Sequence, residues 1–126
     1  MEILIFLFYS LSINDSFIER FSMEEEKQLL IEQKKDGEIL VCKLSGWLDP
    51  NTSPDLISKI ELAEVKELIF DMKNVEYVFS AGLRAFLMLQ RIMTQQGGTM
   101  KLVNVADEIR NIFEYTGFDD MLEAKA

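Results

Sequence analysis

The chain contains no histidine. That absence excludes a Ser-His-Asp triad, a Cys-His dyad and any histidine metal ligand. It contains one cysteine, so neither an internal disulfide nor a CxxC redox pair can form. That residue, Cys42, lies inside the apolar run EILVCKL, where a buried, inert thiol is expected. The pattern suits a reducing compartment, and a cytoplasmic location is expected. Basic residues are also scarce: 13 stand against 22 acidic ones, for a net charge of −9. Such a chain is repelled by nucleic acid and by anionic membrane surfaces, so a protein partner or a cationic surface is expected instead. No GxxxxGK[ST], no GxGxxG and no metal-ligand cluster occurs, and Glu24 to Glu26 read as a solvated run. Neither catalysis nor a cofactor or metal is expected.

What is present is enough apolar sequence, 48% of 126 residues, for one globular domain with one core. The opening MEILIFLFYSLSI is greasy, but its unbroken apolar run spans only Ile3 to Tyr9. A spanning helix needs about 20 residues, so no membrane span is expected. A secretory signal would start with basic residues, and Glu2 stands there instead. Residues 1–22 therefore read as a leader and residues 23–126 as the domain. Either Met23 is the natural start and the leader an upstream misreading, or the leader is an N-terminal amphipathic segment.

From Glu24 onward strands and helices alternate. QLLIEQKKDGEILVCKLSGWL reads as two strands around an Asp36-Gly37 turn. NTSPDLISKIELA reads as a short helix capped by Ser53, with Pro54 in its first turn and Leu56, Ile57 and Ile60 on its apolar side. Leu68 to Phe70 form a buried strand ending at Asp71. Residues 81–96 form the longest helix, stopped by Gly97-Gly98. TMKLVNV is a strand, and ADEIRNIFEYTG is a helix with Asp107 and Glu108 at its positive end. MLEAK adds a last short edge strand after a loop at Asp119-Asp120. The order β-β-α-β-α-β-α(-β) predicts an α/β fold with a mixed sheet of four to five strands and three main helices.

The long helix carries two apolar stripes. Leu83, Phe86, Leu87 and Met93 make one, and Ala85, Met88, Leu89 and Ile92 the other. One stripe suffices to hold a helix to a sheet. The second is either covered by neighbouring helices or partly open to a partner, for which Met88 is suited. Ser80 stands at the helix start, where it is expected to act as N-cap. A phosphate there would also suit the helix dipole and the free N–H groups. Gly82, having no side chain, is expected to let another surface approach the backbone.

These residues carry a resemblance. VEYVFSAGLRAFL resembles the signature of bacterial anti-sigma factor antagonists, the STAS-domain family. LSGWLDPNT resembles the family's G-x-L-D loop, and LIFDMKNVEYV its third strand and following turn. GGTMKLVNV and IRNIFEYTGF fit its last strand and helix, so the resemblance covers residues 24–124. It implies a STAS-like small domain that binds an anti-sigma factor serine kinase and thereby frees a sigma factor. The kinase then phosphorylates the serine at the start of the central helix, and a metal-dependent serine phosphatase reverses this. Carried over, the phosphosite is Ser80, and the partner surface comprises Trp47, Asp49, Phe79 and Ala81. Gly82, Arg84, Ala85 and Met88 extend it along the helix. Asp49 and Asp71 match family positions near that serine; for Asp71 a strand-end role is the expectation. Two residues depart from the pattern: Phe79 stands where Asp or Ser is common, and Trp47 where a smaller or polar residue is usual. The alternative implied by the family is a non-phosphorylated scaffold subunit of a larger assembly, such as a lipid-transporting ABC system. Self-association through the second stripe is a further alternative.

Overall fold

The computed structural model describes residues 28–123; the leader lies outside them. Strand β1 (Leu29–Asp36) turns into β2 (Ile39–Leu48) through a two-residue loop in which Gly37 takes a φ of +64°. That backbone conformation is open to glycine at little cost and matches the twist of a tight hairpin. Helix α1 (Ser53–Lys59), strand β3 (Glu67–Val78), helix α2 (Ser80–Gln95), strand β4 (Thr99–Val103) and helix α3 (Asp107–Thr116) follow. A single 3₁₀ turn, Asp119–Met121, comes last among the described residues.

The sheet order is β1-β2-β3-β4, antiparallel between β1 and β2 and parallel elsewhere. Crossovers of one hand that always step in the same direction put their helices on one face. The burial pattern agrees. Leu40, Cys42 and Leu44 of β2, Leu68, Phe70 and Met72 of β3, and Met100 and Leu102 of β4 are buried, while the residues between them face outward. Phe86 of α2 packs edge-on to Phe70 at 5.2 Å and lies 6.0 Å from Phe113 of α3, which ties sheet and helices into one core. Burial pushes the Cys42 thiol up from 9.0 to about 12. It is held protonated and inert, as expected.

Several expectations are corrected. The third strand does not end at Asp71 but runs on to Val78, because β2 continues beside it through two register shifts, between Lys43 and Ser45 and between Gly46 and Trp47. Asp71 is therefore a mid-strand residue. Its carboxylate accepts from Lys73 N at 3.1 Å and Asn104 Nδ2 at 3.0 Å, and it lies on the order of 20 Å along the strand from Ser80. The last edge strand reduces to one parallel bridge, Leu102 to Leu122, because Asp119-Asp120 tighten into the 3₁₀ turn just before it. Ser53 does not cap α1; Thr52 occupies that position, and its hydroxyl is used elsewhere.

Candidate functional site

Two chain segments meet at the end of the sheet where β2 and β3 finish. The first is the G-x-L-D loop. Asp49 Oδ1 accepts from the backbone N–H of Asn51 and of Thr52, each at 2.9 Å. Thr52 Oγ1 accepts from Asp49 N at 3.0 Å and donates to Trp47 O at 2.7 Å. Asp49 thus spends its carboxylate on shaping the loop, in the manner of Asx turns. The second segment is the β3–α2 junction. Phe79 N donates to Leu48 O at 2.8 Å, which clamps the junction to the loop.

The expected cap is corrected here. Phe79, extended at ψ 173°, is the N-cap of α2, and its carbonyl accepts from Gly82 N and Leu83 N. Ser80 is the first helical residue, so its hydroxyl is not aimed back at the free N–H groups. It is exposed and makes no hydrogen bond among the described residues. No acidic side chain occupies the first turn of α2. The positive end of the helix dipole is therefore uncompensated there.

Gly82 is also corrected. It is buried, and a Cβ on it would meet Leu48 Cβ at 2.8 Å and Val78 Cγ1 at 3.0 Å. Its missing side chain makes room for the protein's own strand ends, not for another surface. The two stripes of α2 resolve similarly. Leu83, Phe86 and Met93 lie on the sheet side, and Ala85 and Leu89 are buried as well. Met88 alone of the second stripe is open, at 49% exposure.

Met88 borders a groove of about 400 Å³ between α1 and α2. Ala81, Arg84 and Ala85 line one side, and Pro50, Ser53, Pro54 and Ile57 the other. Beside Ser80, on the strand ends, lies a group of three aromatic rings. Phe79 is 4.7 Å from Tyr77 and 5.7 Å from Trp47, whose indole N–H donates to Glu76 Oε1 at 2.8 Å. Phe79 is 37% and Tyr77 44% exposed. The structure thus places Trp47, Asp49 and Phe79 on the strand ends and the loop, and Ala81, Arg84, Ala85 and Met88 along the adjoining groove. Sequence reading missed Tyr77, Glu76 and Thr52. The first two were hidden by ending β3 too early. Thr52 was legible in its spacing from Asp49.

The sheet order never reverses, so the switch-point crevice that holds ligands in doubly wound sheets does not form. Among the described residues no group of His, Cys, Asp and Glu could hold a metal ion, and no helix is long and apolar enough to cross a membrane. Fold and site together define a small α/β domain in which a helix start meets a loop at the strand ends, beside a groove between two helices. The chain belongs to the STAS domain family, whose model matches residues 31–126. It is 29% identical over 98 residues to the anti-sigma-B factor antagonist of Bacillus subtilis, covering 76% of this chain and 90% of the relative. It is 27% identical to the anti-sigma F factor antagonist of Paenibacillus polymyxa, covering 71% and 80%. Its fold is similar to that of the anti-sigma factor antagonist SpoIIAA in its unphosphorylated form, with a TM-score of 0.68, 20% identity and coverage of 77% and 89%. An anti-sigma factor antagonist from Mycobacterium paratuberculosis matches at the same TM-score, with 21% identity and coverage of 79% and 89%.

Proposed function

We propose that the chain is an anti-sigma factor antagonist that binds a serine-kinase anti-sigma factor and is switched off by phosphorylation of Ser80. The observation that carries this reading is the exposed, unbonded Ser80 hydroxyl on the uncompensated positive end of α2. It stands beside Ala81 and the groove that Arg84, Ala85 and Met88 line, while Trp47 and Phe79 flank it on the strand ends. The relatives' names, anti-sigma-B and anti-sigma F factor antagonist, support the same assignment. In this reading residues 23–126 form the working domain in the cytoplasm, and a metal-dependent serine phosphatase resets it.

The switch is electrostatic and steric. A phosphate adds roughly −1.5 to −2 charges at a site where the backbone of α2 is tightly seated. A penalty of about 3 kcal/mol against a docked partner weakens binding by about two decades. The test combines the chain with a serine-kinase anti-sigma factor of the same genome and ATP. Intact-mass mapping should place one phosphate on Ser80. Ser80→Ala should bind like the unmodified chain, and Ser80→Asp about 10- to 100-fold more weakly. Equal affinities would sink the switch. Phe79, held against Trp47 and Tyr77 just before the serine, favours the second reading, a scaffold subunit that no kinase modifies. That reading gives no phosphate and no difference between the two variants.

A further inference from the structure

Resting on the antagonist reading, we infer that the α1–α2 groove recognises a carboxylate side chain of the anti-sigma partner, held between the Ser53 hydroxyl and the Arg84 guanidinium. Ser53 is 3% exposed, lines the groove, and its Oγ has no hydrogen-bond partner. Buried polar atoms are almost always bonded, so an orphan at a binding groove points to a group that arrives later. Arg84 lines the same groove, is exposed, and makes neither ion pair nor hydrogen bond among the described residues. An unpaired arginine is conspicuous in a chain of net charge −9.

Arg84 can only donate and the Ser53 hydroxyl can donate, and both line one groove. Their common complement is an acceptor-rich anion. Arg84 repels a cationic occupant, and a purely apolar one leaves both the guanidinium and the hydroxyl unpaired. Pro54, Ile57, Ala85 and Met88 supply the apolar walls against which the methylenes of a glutamate fit. Ser53 Oγ is closed to solvent in the free domain, so the groove has to open slightly. Met88, unbranched and exposed at the edge, is the side chain able to give way. The arrangement also gives the phosphate a second means of release. Ser80 and Arg84 are four apart on α2 and therefore neighbours on its surface. A phosphate on Ser80 competes with the partner's carboxylate for the same guanidinium.

The experiment is a titration of the full chain with the anti-sigma kinase, accompanied by thermal melting of each variant. Ser53→Ala removes an orphan hydroxyl, so it should melt a few degrees higher, roughly 4 °C, while binding the kinase about tenfold more weakly. A purely structural serine cannot move the two readouts in opposite directions. Arg84→Ala should also bind about tenfold more weakly. The double variant should lose far less than the product of the two losses, because both anchor one carboxylate. Unchanged affinity of Ser53→Ala, or fully multiplicative losses, would overturn the clamp while leaving the antagonist reading intact. Failure of the unmodified chain to bind the kinase would overturn both.

Discussion

Gly82 and Ser80, both in the first turn of α2, face opposite ways, and their substitutions should separate stability from switching. Gly82→Ala drives a methyl into Leu48 and Val78, with the nearest carbon at 2.8 Å. Overpacking of this kind costs about 1–3 kcal/mol, so a lowered midpoint in urea at unchanged slope is expected. Ser80→Asp, on the exposed side, should leave that midpoint nearly unchanged, within about 0.5 kcal/mol. Thr52→Val should loosen the G-x-L-D loop, since it removes the bonds to Trp47 O and Asp49 N. Faster amide exchange at Asp49, Asn51, Thr52 and Ser53 is the readout. The roles of these residues were unequally legible. Ser80 was visible from its place before a long apolar periodicity, but its exact seat in the helix depended on Phe79 reaching Leu48, a contact between distant parts of the chain.

Among the elements, α2 supplies the central packing. Phe86 lies between Phe70 and Phe113 and is fully buried, so Phe86→Ala should cost about 3–5 kcal/mol and abolish cooperative melting if the domain is marginal. Element order, the four strands and the three helices could all be read from period and turn residues. The hairpin at Gly37 and the helix stop before Gly97 are local chemistry, and local chemistry is written in neighbouring residues. The errors fell where tertiary pairing decides. Strand β3 extends to Val78 only because β2 lies beside it, and the chain at Leu122 forms one bridge because the 3₁₀ turn precedes it. The groove was not legible at all, since it belongs to two helices at once.

For the molecule as a whole, the orientation of the sheet decides what can be sensed. One face is closed by helices, and Cys42 lies beneath them with no exposure. Its pKa is raised by burial to about 12 in the folded state from an ordinary 9.0. The folded state therefore binds the proton more tightly than the unfolded one. Stability from this source is complete below about pH 9 and falls as pH rises toward 12, by up to roughly 1.4 kcal/mol per unit. Cys42→Ala should flatten that alkaline decline in urea titrations. A thiol reagent at pH 7 should label the wild-type chain only as fast as it unfolds.

The aromatic group beside Ser80 has an optical consequence. Trp47 is the chain's single tryptophan, and its ring lies 5.7 Å from Phe79, the residue before the serine. Its indole N–H is tied to the Glu76 carboxylate at 2.8 Å. Any change in local field or hydration at that end of the sheet falls on one chromophore, with no other tryptophan to dilute it. The domain thus carries a built-in emission signal, and the arrival of a charge or a partner at Ser80 can be followed in real time without a dye.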